Sequence, residues 1–145
     1  MRKRTVITIC ICLSVAVIGL LAFTQKSPKQ KITKMVHSNI EAYTEAADKA
    51  INGEDISEIS FTDVRDITVW NNKQVDFLCN SHGLGSATSY YGFYYSYDNV
   101  PRTFQGEEVT FTEYGDGLKW EESNGDNWCY IEIIFDNWYY FEMHF

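Results

Sequence analysis

Hydrophobic and polar positions along the chain change period twice. Val6 to Phe23 is an 18-residue apolar run, broken only by Thr8, Ser14 and Gly19 and free of charge. From Lys31 the apolar residues Ile32, Val36, Ile40, Tyr43, Ala47 and Ile51 recur at steps of three and four, one stripe along an amphipathic helix, and Gly53 stands where a helix ends. Beyond Gly53 the period falls to two, and turn residues separate the runs. Strands are predicted near residues 64–70, 74–80, 89–97, 109–114, 118–123, 127–135 and 138–145. One helix packed across a curved antiparallel meander of six to seven strands is an α+β domain.

Loop lengths test this pattern, because residues facing each other across a hairpin share a face. A two-residue Asp116-Gly117 turn places Phe111, Leu118 and Trp120 on one face. A two-residue Asn124-Gly125 turn then sets Trp120 opposite Cys129 and Leu118 opposite Ile131. At the last hairpin, a two-residue Asp136-Asn137 turn would put Phe141, Met143 and Phe145 on the wrong face. A three-residue connection with a bulge is predicted instead, which sets Glu132 opposite Glu142.

Composition then places the domain. The first run follows Arg2-Lys3-Arg4 and reaches the lower limit for a helix crossing ~30 Å of hydrocarbon. An uncleaved signal-anchor is expected over residues 1–24, with a cleaved signal peptide as the alternative. Cys10 and Cys12 lie inside the run, too early for a lipidation site. A linker containing Pro28 covers 25–30, and 31–145 is one domain facing the outside of the cell membrane. From Met35 onward five basic residues face 20 acidic ones, a net of −15, which disfavours nucleic acid and favours a cationic partner.

Candidate chemistry lies on the strands. Cys79 and Cys129 both fall on apolar positions, so they form either a disulfide or two buried thiols. Neither the set Cys79, His82, Cys129 and His144 nor the pair Cys79 and His82 has the spacing of a zinc site or a nucleophilic dyad, and no cofactor is implied. The segment "SHGLGSATS" lacks the spacing of a phosphate-binding loop and reads as a connection between strands. On the outward parity of the last hairpin, Tyr130, Glu132, Trp138, Tyr140, Glu142 and His144 project together as the candidate ligand-binding face. Trp70, Tyr90, Tyr94 and Tyr114 also face away from the expected core, so a second layer covers these aromatics or they form a recognition surface.

The run "SYYGFYYSYDNVPRTFQG" (residues 89–106) and the terminal "DNWYYFEMHF" resemble small exported or membrane-anchored proteins of Gram-positive bacteria. The resemblance implies an anchored, extracytoplasmic placement and brings no catalytic residues with it. The expected function is a non-enzymatic binding module, membrane-tethered through residues 6–23, that recognises a protein or a cell-envelope polymer. The alternatives are a hydrolase using Glu132 and Glu142, assisted by His144, and a structural subunit of a membrane complex.

Overall fold

The computed structural model describes residues 27–85 and 87–145. The apolar run 6–23, with Cys10 and Cys12, lies outside the described residues. Among those described, no helix is long and apolar enough to cross a membrane.

Where one helix is expected, there are two, α1 (Pro28–Ser38) and α2 (Ile40–Ile51). Helix α1 begins earlier than the apolar stripe suggests because Ser27 and Gln30 form a reciprocal capping box and Pro28 occupies the first turn, where its missing N–H costs nothing. The break falls at Asn39, which leaves helical backbone with φ −132°. Ser38 Oγ donates to the Lys34 carbonyl and Asn39 Nδ2 to the Met35 carbonyl, so polar side chains compete with the helical ladder there. The predicted stripe is otherwise the buried one: Ile32, Val36, Tyr43 and Ala47 are in the core, joined by Ala46 and Ala50, whose small size lets α2 lie close to the sheet.

Seven antiparallel strands form one sheet: β1 (Asp66–Trp70), β2 (Gln74–Leu84), β3 (Ala87–Ser96), β4 (Thr112–Tyr114), β5 (Gly117–Glu121), β6 (Trp128–Phe135) and β7 (Trp138–His144). Their spatial order, β1-β2-β3-β7-β6-β5-β4, corrects the expected simple meander. Strand β3 pairs with the C-terminal β7, and residues 97–111 carry the chain from the centre of the sheet to its far edge.

Two hairpins keep the predicted faces. Leu118 lies opposite Ile131 and Trp120 opposite Cys129, as the turn chemistry requires. The β4–β5 turn is Gly115-Asp116, one residue earlier than predicted, because Gly115 takes the positive φ; Phe111, Leu118 and Trp120 still share a face. The last hairpin does use the two-residue Asp136-Asn137 turn, with Asp136 at φ 39°. A bulge at Ile134 then restores the apolar parity, pairing Ile133 with Tyr139, Ile131 with Phe141 and Cys129 with Met143. Consequently Glu132 faces Tyr140 and Glu142 faces Tyr130, and the predicted Glu132–Glu142 opposition does not form.

Both faces of the sheet are apolar, and each has its own cover. The helices close one face over Val75, Phe77, Phe93, Trp138 and Tyr140. Tyr43 stands at the centre of this layer, with ring centroids 4.5 Å from Phe61, 4.8 Å from Phe93 and 5.4 Å from Phe77. The other face holds Tyr94, Cys129, Ile131, Tyr139, Phe141 and Met143, and the crossing segment binds it through polar groups. The Arg102 backbone N–H donates to Tyr94 Oη, Tyr139 Oη donates to Asn99, and Gln74 Nε2 donates to the Thr103 carbonyl.

Two buried ionisable side chains anchor the segment. Arg102, 2% exposed, donates through two nitrogens to Asp98 at 2.7 Å each, and to Glu108 at 2.9 Å and Ser96 Oγ at 3.2 Å. Asp76, 1% exposed, accepts from Trp70 Nε1 and Gln74 Nε2. Gln74 Oε1 is buried without a hydrogen-bond partner among the described residues; turning the amide over would set its carbonyl against the acceptors on Asp76 and Thr103.

Cys79 and Cys129 are not bonded to each other. Cys79 packs with the helix-side core and Cys129 with the opposite one, and β3 and β7 stand between their strands, so the disulfide expected as one possibility does not form.

Candidate functional site

Residues opposed across several strands form rows on the helix-side face. Two rows lie under the helices: Val69, Val75, Tyr95, Trp138 and Phe135, then Ile67, Phe77, Phe93, Tyr140 and Glu132. The next two rows are Asn80, Tyr91, Glu142, Tyr130, Lys119 and Thr112, then His82, Ser89, His144, Trp128 and Glu121. The fully buried residues stop at the second row. Beyond that line the same face is an open shelf of half-exposed tyrosine, tryptophan, histidine and glutamate.

The shelf divides the predicted ligand-binding face. Trp138 and Tyr140 are 3% and 2% exposed, buried under α1 and α2, which corrects their expected outward display. Sequence parity put them correctly on one face with Tyr130 and Glu142, but that face is the one the helices cover. Tyr130, Glu132, Glu142 and His144 remain at or near the surface. Of the other outward-reading aromatics, Tyr94 is buried, Trp70 bonds Asp76, Tyr90 is half-buried against Phe145, and Tyr114 is 59% exposed.

Glu132 is occupied. Lys29 from α1 reaches it at 2.7 Å, and the Tyr130 hydroxyl donates to the same oxygen. Burial alone would raise the carboxyl, but these two partners outweigh it and hold it below the usual range. A general acid must keep its proton near neutral pH, so Glu132 is unsuited to that role. Glu142 sits one row further out, beside the hydroxyls of Tyr91 and Tyr140. Burial first, and then the charge of Glu142, raise both phenols above their ordinary value.

A depression of about 350 Å³ opens beside Glu142, walled by Tyr114, Lys119, Trp128 and Tyr130. Lys119 Nζ lies 5.0 Å from the Tyr114 ring centroid and 5.6 Å from that of Trp128, while pairing with Glu121. Trp128 stacks on His144 with centroids 6.0 Å apart, and His144 Nδ1 is 3.0 Å from Ser89 Oγ. Larger hollows exist, such as one of about 450 Å³ walled by Pro101, Leu118, Ile131 and Tyr139 with Glu113, Asp116 and Glu132, but that one lacks the cation and stacked rings.

No protein-family model matches the chain, and neither a curated protein nor a solved structure matches it. Its chemistry is therefore read from the site alone.

Sequence reasoning missed Ser89 and Tyr91, which reach the shelf only through the β3–β7 pairing of distant segments. It also left out Trp128, which the sequence could have supplied, because it shares the even parity of Tyr130 and Glu132 on the same strand. Glu132 and Glu142 are offset along neighbouring strands, and the Ser89–His144 contact has no carboxylate bonded to the imidazole among the described residues. Among those residues, no three His, Cys, Asp or Glu side chains come together as metal ligands would.

Proposed function

We propose that this protein is a non-enzymatic binding module held at the outer face of the cell membrane by residues 6–23, and that it captures its ligand on the open shelf. One observation carries the reading: the helices cover two rows of the sheet face, and Tyr130, Glu142 and Trp128 of the next two, with Tyr114 of β4, line an open depression. Rigid rings with polar tips offer contact area with little conformational entropy to lose, which suits recognition. The charge-free run near the N-terminus and the resemblance to exported Gram-positive proteins support the tethered placement. The partner classes are a protein or a cell-envelope polymer.

The test is capture of purified envelope polymers and basic peptides by the full-length chain. Trp128→Ala should reduce capture at least about tenfold, the range of an interface hot spot, while the circular dichroism of the fold stays unchanged. Capture undiminished by Trp128→Ala and by Tyr114→Ala would place binding elsewhere. Protease access to the domain in intact cells tests the outward placement, and protection until the cells are opened would overturn it.

A further inference from the structure

The molecule already shows which ligand chemistry the shelf accepts. Lys119 lies on it and Lys29 of α1 stands at its border, each pairing with a glutamate and touching an aromatic residue or its bonded partner. Lys29 bonds Glu132, which the Tyr130 hydroxyl also bonds, and Lys119 pairs with Glu121 across the Tyr114 and Trp128 rings. Glu142 stands on the neighbouring strand β7, one row beyond Glu132 and separated from Lys119 by Tyr130. It is directly opposite Tyr130 on one side and Tyr91 on the other, and among the described residues no lysine or arginine pairs with it. The depression beside it brings the same elements together, lined by the Glu142 carboxylate with Tyr114, Trp128 and Tyr130, and by Lys119, whose Nζ lies over the Tyr114 and Trp128 rings.

Aromatic faces carry negative charge density and attract a cation. The attraction grows when the site is partly desolvated, and a carboxylate within reach supplies the hydrogen-bond acceptor that an ammonium needs. An anion would meet Glu142 and the net charge of −15 from Met35 onward. A neutral sugar would stack on the rings but leave the carboxylate without a counter-charge. We infer that the depression between Glu142, Tyr130 and Trp128 receives a lysine side chain of a basic polypeptide, its ammonium on Glu142 and its aliphatic stem along the rings. This rests on the shelf being a binding surface and names its ligand. Lys119, on the far wall, opposes the incoming charge and so limits affinity for it.

The sign of the Lys119 effect separates the ligand classes. The probe is the capped tripeptide Gly-Lys-Gly, with its Nε-acetylated form as control, titrated into the full-length chain and followed through the Trp128 indole N–H resonance. The free-amine probe should shift that resonance and the acetylated probe should not. Glu142→Gln should weaken binding about tenfold, the scale of a charge-assisted hydrogen bond, with Glu142→Asp restoring part of it. Lys119→Gln should tighten binding about twofold or more. Unchanged methyl resonances of Val36 and Ile131 verify that the variants are folded. Equal binding of the acetylated probe, weaker binding in Lys119→Gln, or no shift at Trp128 overturns the assignment. If Trp128→Ala still abolishes capture of an envelope polymer in that case, the binding surface stands and only its ligand class is wrong. If Trp128→Ala changes neither polymer nor peptide capture, both readings fall.

Discussion

Gly92 is the residue on which the centre of the sheet depends. It lies on β3 opposite Phe141 of β7, and the Phe141 ring lies over the space where a side chain would be. A Cβ there would fall on the Phe77 carbonyl oxygen and on the far edge of the Phe141 ring. The ring can give way but the backbone oxygen cannot, so Gly92→Ala should destabilise the domain by about 1–3 kcal/mol, the usual cost of overpacking. Urea unfolding read at two wavelengths would measure it, and an unchanged midpoint would show that β3 can shift. Glycine in a strand reads from sequence as a weak point. Only the pairing with β7 shows that it makes room for a ring from 49 positions away.

At the level of elements, α1 sets the border of the shelf. Its first turn is fixed by Ser27 and Gln30, and that turn carries Lys29 to Glu132. Ser27→Ala removes the side-chain acceptor and should cost about 1 kcal/mol, the ordinary worth of an N-cap. Hydrogen exchange should then quicken first in α1 and leave α2 unaffected, because Asn39 already separates the two helices. Equal loss of protection in both would show that they unfold as one unit. The capping box was written in the sequence as Ser27-Pro28-Lys29-Gln30, yet the proline reads equally well as the end of a preceding segment. What decides is the pair of reciprocal hydrogen bonds, which need the following residues to be helical already.

For the molecule as a whole, the crossing segment makes stability depend on pH. Burial pushes the Asp76 carboxyl up to about 7, against hydrogen bonds from Gln74, the Gln105 backbone and Trp70 that favour its ionised form. The folded protein therefore keeps a proton that the unfolded chain, with an ordinary carboxyl at 3.8, has already lost. This group's contribution to stability is full below about pH 4 and declines as pH rises through about 7. Asp98 acts in a different window. Hydrogen bonds from Arg102 hold its carboxyl well below the usual range, so its contribution is present above the ordinary value and lost only in stronger acid. Asp76→Asn removes the first titration, and its stability relative to wild type should improve between about pH 5 and about pH 8. A constant difference across that range, in thermal melts, would mean that Asp76 is ionised throughout.

By itself the sequence determined what is local. The parity of each strand follows from a side-chain period of two, so Leu118 with Ile131, Trp120 with Cys129, and Tyr130 with Glu142 and His144 could be assigned to faces in advance. The stripe Ile32, Val36, Tyr43, Ala47 could be read as the buried side of helix for the same reason. Tertiary structure decided which of two apolar faces each cover would take. From sequence one parity reads as core and the other, with Tyr94, Trp138 and Tyr140, as outward, and only the β3–β7 pairing and the path of residues 97–111 place the helices over Trp138 and Tyr140 and the crossing segment over Tyr94 and Tyr139. Those contacts join residues far apart in the chain, and loop closure on that scale leaves no periodic trace in composition. The candidate site was thus legible as a set of residues on one side of a hairpin. Which of them would stay open depended on where two short helices end.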